Sequence, residues 1–274
     1  MDDQNQALRA RVFRALHERG TFVIPNCWDG GSARLLGSLG FQALATSSAA
    51  TAATYGRRDG QVSRDEVLAQ ARIICEATPL PVSGDLENGF GPAPADTALT
   101  IRLAAQAGLV GGSIEDTTGR AADPIFDFSL AVDRVASAVE AARALEFPFT
   151  LTARTENFLH GKPDLDDTIR RLQAFEKAGA DVLFAPGLPS LDAVRTVCRS
   201  VSKPVNFMVA IPGRSFSVAE LADAGVRRIS LATTTYRAAL TGLADAAREV
   251  ATTGTFGYLG RILPGAELDR ILGE

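Results

Sequence analysis

The chain has 274 residues, 46% of them hydrophobic and 22% charged, with a formal net charge of −4. That length suits one barrel domain of about 250 residues, and the charge gives no reason to expect nucleic acid or an anionic membrane as partner. Three cysteines without close spacing and only two histidines argue against a disulfide framework or a poly-histidine metal site and for a reducing cytoplasm.

Residues 1–20 are charged and read as a helix without the apolar core of a signal peptide. No uninterrupted apolar run is long enough to span a bilayer. A first strand is expected over Thr21 to Asp29. Four later segments repeat one phrase, in which a helical pattern ends at glycine and an apolar strand follows: Gly40-FQALATSS, Gly108-LVGGSIED, Gly179-ADVLFAPG and Gly225-VRRISLAT. Glycine there is free to take positive φ and end the helix. Three further strands open at proline, Pro81-VSGDLENG, Pro148-FTLTARTE and Pro204-VNFMVAIPG, a position that tolerates the missing N–H.

Between them lie amphipathic helices. In DLDDTIRRLQAFEKAG, Ile169, Leu172 and Phe175 share a face while Arg170, Arg171 and Lys177 are free to stay wet. Leu130, Val135, Ala138 and Ala142 have similar spacing. Strict β/α alternation through eight units predicts a (β/α)8 barrel of the α/β class rather than an open doubly wound sheet. No Gly-x-Gly-x-x-Gly turn follows the first strand, which counts further against a dinucleotide fold. The expected organisation is one barrel domain over 1–274, with an N-terminal helix 1–20, a barrel 21–250 and a C-terminal helical segment 251–274.

Catalytic groups in such a barrel come from the C-terminal strand ends. Asp85 and Glu87, two apart on one strand, share a face, and Glu115 ends the next strand. Clustered carboxylates repel unless a cation or protons neutralise them. Hard oxygen donors without Cys or His point to Mg²⁺, with Mn²⁺ as alternative. The competing reading is that these acids cap helices or pair with Arg154. Arg154 can hold a substrate carboxylate in a bidentate contact, or form an ion pair with Glu115 or Glu156. Backbone N–H groups around Ser47, Ser48 and Ala49 offer an anion cradle, where the plainer reading is a β–α turn. Asn206, on the seventh strand, joins the substrate-binding candidates. Cys27 reads as packing, His160 as a loop residue and Arg57-Arg58 as solvated.

The phrases PNCWDGGSARLL, TSSAATAATYGRRDG, SGDLENGFG, IEDT and LTARTENFL, with the terminal helical segment, resemble the isocitrate lyase and phosphoenolpyruvate mutase superfamily over nearly the full chain. SGDLENGFG is similar to that family's D-x-D-x-G-Y/F-G metal motif, with Glu87 at the second acid. The resemblance implies Asp85 as the main direct Mg²⁺ ligand, with Glu87, Glu115 and Asp59 acting mostly through metal-bound water. It implies that Trp28 lines the pocket, that Ser47, Ser48 and Ala49 hold the substrate's carboxylate and oxo group, and that Arg154 contacts the reacting end. It implies further a lyase passing through an enolate on a small 2-oxo or hydroxy carboxylate. It also implies a homo-oligomer, dimer or tetramer, whose last helix is exchanged between subunits.

Two family elements are missing. The lyases carry K-[KR]-C-G-H after the fourth strand, with Cys as catalytic acid. The stretch here, DTTGRAADPIFDFSLAVDRV, has no Lys, Cys or His, and Thr118 is left as the catalytic candidate beside Arg154, Asp59 and Glu115. Pro186 stands where the lyases tend to have Glu and the mutase His. The leading expectation is a C–C lyase. Oxaloacetate decarboxylation, hydrolysis of a phosphonopyruvate-type C–P bond, and a catalytically weak barrel that binds 2-oxo acids are the alternatives.

Overall fold

Each of the eight expected strands forms, though most are shorter than the apolar runs that predict them. The computed structural model describes residues 3–273. The strands are β1 (Phe22–Ile24), β2 (Leu44–Ala45), β3 (Val82–Asp85), β4 (Gly111–Glu115), β5 (Thr150–Arg154), β6 (Val182–Phe184), β7 (Val205–Met208) and β8 (Arg228–Ser230). They make one parallel sheet in the order β1-β8-β7-β6-β5-β4-β3-β2. An isolated parallel bridge, Asn26 to Ala45, brings the two edges together. The (β/α)8 barrel is therefore present.

The helices between strands are α2 (Gly30–Ser38), α3 (Ser48–Thr54), α4 (Arg64–Ala77), α5 (Pro94–Gln106), α6 (Phe128–Arg143), α7 (Leu165–Ala178), α8 (Leu191–Ser200) and α9 (Val218–Asp223). The four glycines read as helix stops all take positive φ, at 87°, 96°, 105° and 99° for Gly40, Gly108, Gly179 and Gly225. Side chains such as Ile101, Leu109 and Phe149 on one flank, and Leu172, Phe175 and Val194 on the other, are buried between helices and sheet. One expectation about α7 fails. Arg171 is not wet but buried, because Asp116 and Asp167 at 3.1 and 2.9 Å supply carboxylates for its guanidinium.

The N-terminal helix α1 (Asp3–Leu16) closes the barrel's lower end. Phe13 is fully buried, and a Cβ on Gly111 would come within 2.7 Å of its ring, so only glycine lets the helix dock this closely. Beyond β8 run α10 (Thr234–Thr253), a 3₁₀ turn over Gly257–Gly260 and α11 (Gly265–Gly273). α11 lies against α2, where Arg34 Nη1 donates to the Leu272 carbonyl at 2.8 Å. No residue of α10 is buried. Among the described residues no helix is long and apolar enough to cross a membrane.

Candidate functional site

Strand register assembles the site. Glu115 pairs with Arg154, Arg154 with Phe184, Phe184 with Asn206, and Asn206 with Arg228. All five line one cavity of about 910 Å³ that opens among the C-terminal strand ends. Asp85, the last residue of β3, joins its wall together with Glu87 from the turn that follows and Asp59 from the loop between α3 and α4. Among the described residues, the three non-glycine residues with positive φ, Glu87 at 49°, Phe90 at 60° and Ala232 at 48°, line it as well. Such backbone costs on the order of 1 kcal/mol or more per residue, so the strain of the fold is concentrated around this cavity.

Arg154 sits among the acids. Its Nε lies 3.3 Å from Glu115 Oε2, its Nη1 lies 3.9 Å from Asp85 Oδ1, and it also contacts Glu156. The guanidinium stacks over the Phe184 ring at 5.0 Å. Burial alone would lower the arginine, but Glu115, Glu156 and Asp85 together lift it, so it stays charged. One guanidinium cannot neutralise three acids. Burial first, then Glu156, Asp85 and Glu87, push the Glu115 carboxyl well above its usual range despite Arg154. Burial, then Asp85 and Asp59, push Glu87 up to about 8. Asp59 keeps exposed surface at the cavity mouth, yet desolvation by the surrounding loop and the Asp85 charge still raise it, against a hydrogen bond from Ser48.

Asp85 is held by the turn before α3. Ser48 N–H donates to its Oδ2 at 3.0 Å, and its own N–H donates to Thr46 Oγ1 at 2.9 Å. The Ser47 hydroxyl caps α3 by accepting from Ala50 N–H at 3.3 Å. Part of the expected anion cradle is thus turned onto a carboxylate of the protein. Ser47, Ser48 and Ala49 still face the cavity. Asn206 Oδ1 accepts from Arg228 Nε at 2.8 Å while its Nδ2 donates to Ser230 Oγ at 3.0 Å, which fixes the orientation of the amide.

Two expected residues stand apart. Thr118 is half-buried, its hydroxyl donates to the Asp123 carbonyl, and its neighbours Thr117 and Gly119 line the cavity instead. Trp28 is outside the cavity wall and packs edge-on against Tyr236 at 5.2 Å. The segment after β4 doubles back on itself. Thr117 bridges Ile125, and Thr118 N–H donates to the Pro124 carbonyl at 2.8 Å. Cys27 is buried beside the barrel, and desolvation raises its thiol far above the range of a nucleophile.

Three cavity residues are not among the expected catalytic, substrate or metal residues. Glu156, two positions after Arg154 and expected only as a possible ion-pair partner of it, does pair with Arg154 and lines the cavity. His160 is one helical turn further along. Arg228 enters from the foot of β8, donating to Thr152 Oγ1 at 2.9 Å and approaching His17 Nε2 at 3.5 Å. Desolvation brings it down to about 9.

The chain also matches known proteins. The family profile described as phosphoenolpyruvate phosphomutase covers residues 13–251. A structure from Burkholderia cenocepacia assigned as a lyase or mutase is 52% identical, covers 98% of each chain and superposes with a TM-score of 0.96. A 2-methylisocitrate lyase of Shewanella oneidensis is 33% identical over 73% of this chain and 70% of its own. An oxaloacetate decarboxylase of Paraburkholderia xenovorans is 29% identical over 96% and 88%.

Proposed function

The chain belongs to the phosphoenolpyruvate phosphomutase family, and on that premise we propose that it cleaves a C–C bond in a small 2-oxo or hydroxy carboxylate through an enolate, with Mg²⁺ as cofactor. The observation that carries this reading is the set of four carboxylates, Asp59, Asp85, Glu87 and Glu115, arriving from three successive strand ends and loops at one cavity with too little positive charge to balance them.

The donor set fits a hydrated dication. Among the described residues no three His, Cys, Asp or Glu side chains converge closely enough to chelate an ion directly. Mg²⁺ keeps several waters and takes one or two carboxylates, so direct convergence of three is not required. Asp85 would hold it, with Asp59, Glu87 and Glu115 around its waters; Mn²⁺ has the same donor preference. When bound, the ion supplies Lewis-acid polarisation of the substrate's oxo group.

The protein's own groups do the rest. The Arg154 guanidinium, kept charged and braced by Glu156, pairs with a substrate carboxylate or stabilises charge at the reacting end. Ser47 and Ala49 bound the space for the 2-oxo acid unit. Ser48 holds Asp85 in place, and the Asn206 amide presents a donor in a fixed direction. Similarity to the oxaloacetate decarboxylase favours loss of CO2 from oxaloacetate as a second reading, since that reaction uses the same enolate-stabilising groups. Turnover of 2-methylisocitrate, 2,3-dimethylmalate-type acids, oxaloacetate and phosphonopyruvate, each with Mg²⁺ and with EDTA, tests the proposal. Mg²⁺-dependent C–C cleavage is expected; C–P cleavage alone, or binding without turnover, would contradict it.

A further inference from the structure

A lyase that releases an enolate must give its methylene carbon a proton, and the segment after β4 (residues 116–128) holds no Lys, Cys or His. Among the described residues, His160 is the one imidazole in the cavity wall, and no thiol joins it. It stands in the loop after β5, one turn beyond Glu156, and its backbone N–H donates to the Glu156 carbonyl at 3.1 Å.

The hydrogen bonds settle the state of the ring. Thr117 Oγ1 donates its own proton to the Pro124 carbonyl at 3.0 Å. It lies 3.3 Å from His160 Nε2, and with its proton committed it is the acceptor there. Nε2 therefore carries hydrogen. Glu156 Oε2 stands 3.7 Å from the same nitrogen, a counter-charge for an imidazolium. Glu156 is itself fixed, buried, in contact with Arg154, and with its backbone N–H donating to Asp116 Oδ1 at 2.8 Å. Nδ1 makes no hydrogen bond within the described residues. One ring nitrogen is oriented by a hydroxyl and a carboxylate while the other is left basic, the arrangement that general acid–base histidines need.

We propose that His160 is the proton-transfer residue of this site, with Glu156 and Thr117 as positioning residues acting through it. The inference rests on the enolate reading above. In the cleavage direction the imidazolium Nδ1–H bond breaks, its proton joins the methylene carbon of the enolate, and the enolate's electron pair forms the new C–H bond. The neutral imidazole then regains a proton from water. In reverse, Nδ1 takes a methyl proton from a bound pyruvate unit, and the C–H electron pair passes into the enolate.

The reverse step is directly measurable. With Mg²⁺ in D2O, the wild-type protein should wash deuterium into the methyl group of pyruvate, followed by NMR. His160→Gln should slow this exchange at saturating pyruvate by roughly a hundredfold or more while leaving the dissociation constant for oxalate unchanged. His160→Gly should regain exchange when imidazole is added. Wild-type oxalate binding without exchange, or exchange at the wild-type rate in His160→Gln, would overturn the role of His160 and leave the enolate site standing. Joint loss of exchange and oxalate binding in His160→Gln would mark a structural role and overturn it too. Absence of Mg²⁺-dependent oxalate binding in the wild type would remove the enolate reading and this inference with it.

Discussion

Glu115 and Arg154 face each other in register across β4 and β5, with Arg154 Nε 3.3 Å from Glu115 Oε2. This pair holds the balance of charge in the cavity, because Arg154 also serves Glu156 and Asp85. Removing one partner of a buried ion pair leaves the other uncompensated and costs about 3–5 kcal/mol. Arg154→Met is expected to lose stability on that scale at pH 8 in urea unfolding. The loss should be smaller at pH 5, where Glu115, its carboxyl raised by burial, can take a proton instead. Equal stability to wild type at both pH values would show that the pair contributes nothing to the fold.

Asp85 carries less structural weight than its position implies. It accepts one backbone hydrogen bond, from Ser48, and its charge raises Glu87 and Asp59. Asp85→Ala relieves that repulsion while giving up the hydrogen bond. Its melting temperature should stay within a few degrees of wild type, as expected for a rim residue with little packing. Mg²⁺-dependent oxalate binding should vanish in the same variant. Retained binding would show that the ion is held elsewhere.

A second histidine governs acid stability. His17 lies between the Phe13 and Phe22 rings, with Nδ1 at 2.8 Å from the Phe13 carbonyl and Nε2 facing Arg228. Nδ1 must donate and Nε2 must accept, so the folded state holds the neutral ring. Burial first, then the Arg228 charge, bring it down from 6.5 to about 3. An unfolded chain binds this proton below about pH 6.5 and the folded chain does not, so stability falls as pH drops through the window from 6.5 towards 3. By pH 4.5 the loss attributable to His17 should reach about 2–3 kcal/mol. His17→Gln should show a flatter stability–pH curve across that window than wild type; parallel curves would contradict the assignment.

The C-terminal segment leaves apolar surface uncovered. Leu243 is 65%, Phe256 58% and Leu259 57% exposed, on and just beyond a 20-residue helix without a buried residue. Exposed apolar side chains gathered on one segment are the kind of surface that a second copy of the chain covers. A dimer or tetramer is expected by light scattering at micromolar concentration. Leu243→Glu combined with Phe256→Glu should yield a smaller species with unchanged far-UV circular dichroism. A wild-type monomer would show that the exposed face serves another purpose.

The barrel was legible because its signals are local. Helix stops at Gly40, Gly108, Gly179 and Gly225, each followed by an apolar run, need nothing beyond their neighbours to be read. The acids at strand ends were legible for the same reason, since barrel topology brings strand termini to one rim. What stayed hidden depends on packing across the chain. Arg171 looked like a solvated helix residue until the fold brought it against Asp116, 55 positions away. His160 looked like a loop residue because its meaning lies in Thr117, 43 positions earlier. Arg228 sits at a strand start, where sequence reasoning does not look for cavity residues. The Thr118 hydroxyl, the feature that makes this residue a candidate in the sequence, is used by the turn to Asp123.

The most direct test of the central claim is calorimetric titration of oxalate, a planar mimic of the pyruvate enolate, into the protein with Mg²⁺ present and then with Mg²⁺ chelated. Binding that is tight with the ion and lost without it is the predicted result. Binding that is indifferent to chelation, or absent under both conditions, would contradict an enolate-stabilising metal site at Asp85, Glu87 and Glu115.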